Sequence, residues 1–274
     1  MNRDILEKSL NRALNGGSAG FIAMTGNVVS MMWLRTIINH QYRNGGTFTS
    51  TAKTLYREGG VLRFYRGLPF ALINAPLSRF GDTAMNTLVN TALENTDYSV
   101  AEKTFLGSCG AGLWRICIMP VDTFKSSLQV NGNKGIPILR ERIAQEGILT
   151  LYNGAGASAI STIAGHFPWF FMYNYLNTVF PREKYTETHN RVMRSAAIGF
   201  CSSSVSDLVS NTFRVIKVNR QTQTGNEGYT SLIKGIIRKE SVFGLMTRGL
   251  KVKIITNGIQ GMVFTILFDL YVNK

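Results

Sequence analysis

The chain has 274 residues, with 30 Lys and Arg against 16 Asp and Glu, a formal net charge of +14. Only 17% of the residues are charged while 45% are apolar. That excludes a disordered basic tail, which is charge-rich and apolar-poor, and it departs from soluble domains, in which about a quarter of residues are charged.

The opening residues carry Asp4 and Glu7 and no apolar run, so neither a signal peptide nor a cleaved transit peptide is predicted. Six charge-poor segments then follow in order, at about 12–41, 67–90, 104–130, 154–179, 191–221 and 249–272. Each reaches the ~20 residues that a helix needs to cross a bilayer. The acids inside them are Asp82, Asp122, Asp207 and Asp269. Ionisable side chains within spans face a cavity or a bundle interior, so six such spans predict an all-α bundle around water. The connections 42–66, 131–153 and 222–248 each hold a short amphipathic helix, for example Leu139–Glu146. Loop 42–66 has a net charge of +4 and loop 91–103 of −2, an asymmetry that separates the two faces of the bundle.

Cys109, Cys117 and Cys201 form no disulfide framework, and no Cys/His set has zinc spacing. No nucleophile–base set or phosphate loop is present, so no enzymatic activity, metal or cofactor is expected. The basic residues are scattered rather than clustered with aromatic platforms, which argues against nucleic acid as a partner.

Three sets of residues recur in one order. Glu58-Gly59 with Phe64-Tyr65-Arg66-Gly67 is matched by Glu146-Gly147 with Tyr152-Asn153-Gly154, and by Glu240-Ser241 with Thr247-Arg248-Gly249. The closing glycines are 87 and 95 residues apart. Ahead of each lies a second set: Met32, Leu34, Ile37 and Gln41; Pro120, Asp122, Lys125 and Gln129; Thr212, Arg214, Lys217 and Gln221. Small residues open each unit, at Gly16 to Gly20, Gly107 to Gly112 and Ser195 to Gly199, where they allow close helix approach. The whole chain therefore reads as a single domain, 1–274, of three repeats at about 12–90, 104–179 and 191–272.

These motifs resemble the signature of the mitochondrial carrier family, kept nearly intact at Pro120, Asp122, Lys125 and Gln129 and loosely in the other two repeats, as in an outlying member. The resemblance implies a multi-pass protein of the mitochondrial inner membrane: six transmembrane helices in three pseudosymmetric repeats, three short matrix-side amphipathic helices, and alternating access to one central site. It implies a matrix gate in which the acid of one odd-numbered span pairs with the base of the next. Those acid positions are Leu34, Asp122 and Arg214 and the base positions Ile37, Lys125 and Lys217, so only Asp122–Lys217 survives as a pair. Gln41, Gln129 and Gln221 occupy the brace positions. The cytoplasmic-side gate is reduced to Tyr173, Asn174, Phe268 and Asp269, with Asp82 a poor match in the first repeat.

The family's substrate contacts fall on Asn74, Ser161 with Thr162, and Asn257, with His166 about one turn beyond the second; Asn27, Arg115 and Asp207 add a level on the odd spans. Lacking Lys or Arg at the contact positions, the cavity is expected to take a small zwitterionic or neutral solute. Arg115 would face its carboxylate and Asp207 its amine, unless those two side chains neutralise one another; nucleotides are disfavoured. Gly67, Gly154 and Gly249 resemble the family's cardiolipin sites, where a helix N-terminus suits a phosphate. Two classes stay open: a solute carrier, or a carrier-fold subunit or adaptor that no longer transports and sits in a respiratory or ATP-synthase complex.

Overall fold

A computed structural model describes residues 25–260 apart from 94, 95, 186 and 226. The small-residue set at Gly16 to Gly20 and the gate positions Phe268 and Asp269 lie outside the described residues. Helix α1 covers 25–44. It is followed by α2 (Phe48–Arg63), α3 (Leu68–Ala92), α4 (Val100–Cys117), α5 (Met119–Asn131), α6 (Gly135–Glu146), α7 (Ala155–Val179), α8 (Thr188–Thr222) and α9 (Tyr229–Thr247), and by α10 over 250–260. Among the described residues there is no strand. Repeats one and two each run a long element, a short helix and a second long helix, the order read from the sequence; in repeat three α8 and α9 follow that order, and α10 is described over 250–260.

Local chemistry sets the boundaries. Thr47 opens α2 and Ser99 opens α4, each through a reciprocal capping box, with Ser50 and Glu102 at the third helical position. Pro120 lies just inside α5, and the chain leaves the helix at Ile118. A proline ring clashes with the carbonyl one turn back and offers no N–H, so the first long element of repeat two is broken there. The segments Val100–Cys117 and Met119–Glu146 are bent by 67°. In repeat three Thr212 takes that position, and α8 runs for 35 residues without a break. Met32 takes it in repeat one, inside the continuous α1.

The short helices all turn at matched points. Gly60 in α2 has φ 62°, and Gly147 after α6 has φ 78°. The third such residue is Ser241, with φ 72° and ψ 171° inside α9, a region open in practice only to glycine and worth ~1–3 kcal/mol of strain for other residues. Ser241→Gly is therefore expected to raise stability by about 1 kcal/mol, a rise of a few degrees in Tm. An unchanged or lowered Tm for the purified variant would contradict this.

α4 packs on α3 and α7, α7 on α8, and α5 on both α3 and α8. The repeats are tied cyclically at one end by three buried arginines. Arg63 donates to the carbonyls of Gln129 (2.9 Å) and Val130 (2.8 Å) at the end of α5. Arg142 donates to those of Gln221 (2.9 Å) and Gln223 (3.3 Å) at the end of α8. Arg248 donates to those of Tyr42 and Arg43, both 3.2 Å, at the end of α1. Last-turn carbonyls have no partner within their own helix and carry the negative end of its dipole, so a guanidinium satisfies both needs. Each tie runs from one repeat to the next and the third returns to the first. The conserved geometry of the closing glycines follows the same cycle: a Cβ on Gly67 would stand 2.9 Å from the Lys125 carbonyl, and one on Gly154 2.9 Å from that of Lys217.

Phe80, Leu88, Leu113, Phe171 and Leu208 are exposed on the long helices, while Ser108, Ser161, Ser206, Asn211 and Thr256 are buried, alongside an apolar core around Ile37, Leu55, Val215 and Leu232. Among the described residues no single helix is long and apolar enough by itself to cross a membrane, although the bent pair in repeat two reaches that composition jointly.

Candidate functional site

The long helices enclose a cavity of about 510 Å³, lined by residues from all three repeats. Part of its wall is a cluster around Asp122, which is 5% exposed. One carboxylate oxygen accepts from Lys217 Nζ at 2.6 Å and from Gln221 Nε2 at 2.9 Å. The other accepts from Asn74 Nδ2 at 3.1 Å and from Lys125, one turn on in α5. Both ends of the predicted Asp122–Lys217 pair are thus in contact, and Asn74 adds a link from repeat one. A carboxylate this deep is tolerable only with its charge matched and its lone pairs used; here all four ligands come from side chains.

The other two gate positions behave as their residue types dictate. Leu34 and Ile37 are buried apolar residues (3% and 0% exposed) and offer no charge across their seams. Lys125 and Arg214 accordingly turn to acids within their own helices, Asp122 and Asp207. Gln129 receives a hydrogen bond from Asn39 and points its amide at the Met32 sulfur, whereas Gln41 caps the Gly46 carbonyl at 3.0 Å.

Arg115 does not meet Asp207. It pairs with Asp82 of α3 at 2.7 Å, because α3 packs directly on α4. Asp207 is held by Arg214 on its own helix and by Asn257 of α10. The expected joint site for a carboxylate and an amine is therefore not formed, and neither is the expected static tie between those two residues. Asp82, read as a remnant of the opposite gate, instead serves as the counter-ion of Arg115 within the cavity. Of the remaining remnants, Tyr173 stacks on Trp169 with ring centroids 4.9 Å apart, and Asn174 is exposed; neither lines the cavity.

Ser161, Thr162 and His166 line the wall contributed by α7, with the Thr162 hydroxyl donating back to the Ser158 carbonyl at 3.1 Å. Asn257 lies behind the lining and accepts from Lys253 Nζ at 3.0 Å. Sequence reasoning missed Arg35, Tyr42, Arg79 and Lys253. Their signal was helical spacing: Tyr42 follows Arg35 by seven residues and Lys253 precedes Asn257 by four, so each shares a face with its neighbour. With these included, seven Lys and Arg side chains line the cavity against two carboxylates, Asp82 and Asp122, with Asp207 just beneath the wall. Among the described residues no group of His, Cys, Asp and Glu is placed to hold a metal ion.

The family described as mitochondrial carrier protein matches residues 96–184 and 188–274. The mitochondrial adenyl nucleotide antiporter SLC25A24-A of Xenopus laevis is 27% identical over 256 residues, which is 85% of this chain and 52% of that protein. Mitochondrial substrate carrier family protein X of Dictyostelium discoideum is 25% identical over 209 residues, 75% of this chain and 69% of that one. The mitochondrial glutathione transporter SLC25A40 of Xenopus tropicalis is 23% identical over 234 residues, 81% of this chain and 65% of that protein. The chain thus spans about half the length of the first of these relatives.

Proposed function

The chain belongs to the mitochondrial carrier family, and from that premise we propose that it carries a small anionic metabolite across the mitochondrial inner membrane by alternating access to the cavity. The observation that carries this reading is the charge balance of the lining, seven cations against two carboxylates, with Asp207 beneath the wall. Such an excess, held between low-dielectric walls, concentrates anions and repels cations. It displaces the expectation of a zwitterionic or neutral solute, which rested on the contact positions alone and overlooked Arg35, Arg79 and Lys253. Two relatives are named for an adenyl nucleotide and for glutathione, both anionic at neutral pH.

The apolar outer surface and polar interior support a bilayer-spanning bundle of six helices, with the Asp122 cluster closing its matrix end in the state described. The first turns of α3, α7 and α10, behind Gly67, Gly154 and Gly249, are assigned to cardiolipin phosphates on the ground that helix N-termini favour anions.

Reconstitution into liposomes tests the reading. Radiolabelled phosphate esters and dicarboxylates are expected to accumulate or exchange at least tenfold faster than neutral amino acids. Uptake of neutral amino acids with anions inert would overturn the anion assignment. Failure to move any solute would favour the non-transporting subunit or adaptor.

A further inference from the structure

We propose that the seam between the first and third repeats is a phosphoryl-binding subsite, built by Arg35 and Tyr42 of α1 and Lys253 of α10 beside Arg214 of α8. The proposal rests on the anion-carrier reading and specifies which charged group the cavity holds and where. The other two seams are bridged by the protein's own charges, Asp82 with Arg115 and Asp122 with Lys217. At the third, Ile37 is aliphatic, and Arg214 is drawn back onto Asp207.

Two cations remain there without a carboxylate within 4 Å among the described residues. Arg35 donates only to the Asn27 amide oxygen, at 3.2 Å, and Lys253 only to that of Asn257, at 3.0 Å. A second sign is Tyr42: its ring is 3% exposed, it lines the cavity, and its hydroxyl, beside the Arg214 guanidinium, makes no well-directed hydrogen bond. A buried polar group left unmatched is costly enough to be rare. Two cations without a direct carboxylate partner, Lys253 reaching Asp207 only through Asn257, suit the near −2 charge of a phosphate monoester. The guanidinium offers a fork to two phosphate oxygens, the ammonium a point charge, and the tyrosine hydroxyl a further donor. A single carboxylate would neutralise only half of that charge. The bound phosphoryl group thereby supplies the acid that this seam lacks and ties α1 to α8 and α10.

The test is thermal unfolding of the purified, lipid-depleted protein with inorganic phosphate. Phosphate at tenfold its Kd is expected to raise Tm by about 3–5 °C, and malonate at equal concentration by less. Arg35→Gln and Lys253→Gln each abolish the shift, and Tyr42→Phe weakens the apparent affinity severalfold. Arg79→Gln, which removes a lining cation that α3 contributes outside the seam, keeps the shift. Because Lys253 is unpaired, Lys253→Met raises the phosphate-free Tm, which separates this role from a structural one. A phosphate shift that survives both Arg35→Gln and Lys253→Gln, or that Arg79→Gln abolishes equally, overturns the subsite. So does a shift given by cardiolipin and not by inorganic phosphate. If the shift and its variant dependence hold while liposomes take up no anion, the subsite stands and the carrier reading fails. Anion uptake indifferent to Arg35→Gln and Lys253→Gln is the reverse case.

Discussion

Asp122→Ala is expected to lower stability by about 3–5 kcal/mol, the usual loss when one member of a buried charge cluster is removed, which corresponds to a fall in Tm on the order of 10 °C. The change leaves the Lys125 and Lys217 ammonium groups facing each other without their shared counter-ion, and it strips Asn74 and Gln221 of their acceptor. Lys217→Met should be much milder, because Asp122 keeps Lys125, Asn74 and Gln221. The order Asp122→Ala well below Lys217→Met, read from thermal unfolding in one detergent, is the diagnostic result. Equal losses would mean that the pair, rather than the carboxylate with its four ligands, is the unit that stabilises this cluster.

Arg248→Ala is the second large effect, about 2–4 kcal/mol. Truncation leaves the Tyr42 and Arg43 carbonyls without donors and strands Glu240, now paired at 2.6 Å; hydrogen bonds to charged groups contribute ~1.5–3 kcal/mol and an orphaned buried acceptor is penalised further. Arg63→Ala should behave alike, since Arg63 also has an acid partner, Glu58 at 2.8 Å. Arg142 is the informative exception. Burial lowers its pKa from the ordinary arginine value, and its Nε and one Nη have no partner. Arg142→Met strips the Gln221 and Gln223 carbonyls of their donor but returns desolvation that the native side chain never recovered, and should lose less than Arg248→Ala. Tm values for the three variants, measured side by side, check the ranking; a loss at Arg142 as large as at Arg248 would refute it.

The helices, the break before Pro120 and the contact of Asp122 with Lys217 were legible because each depends on spacing along one helix or on a position shared by two repeats. The Arg115–Asp82 pair was not, because it depends on which neighbour α4 packs against and at what height, and repeat alignment matches a residue to its counterparts rather than to its contacts. The arginine ties were hidden for a related reason. Arg63, Arg142 and Arg248 stand four, twelve and one residues before Gly67, Gly154 and Gly249, so no column of the aligned repeats contains them, although they reach equivalent carbonyls. Arg35 and Lys253 were passed over because attention went to the family's contact positions, while the cavity is walled by whole helix faces.

The lone proline break has a mechanical consequence. A tripod whose legs all bend at the knee opens like an iris, evenly about its axis. Here one leg is jointed, at Ile118, and the other two run without a break where described, α1 over 25–44 and α8 for its full 35 residues. Rigid struts translate or tilt as whole bodies, whereas the jointed leg can swing its lower half alone. The lower half of that leg carries Asp122, so among the described residues the jointed leg is also the one that holds the buried carboxylate cluster.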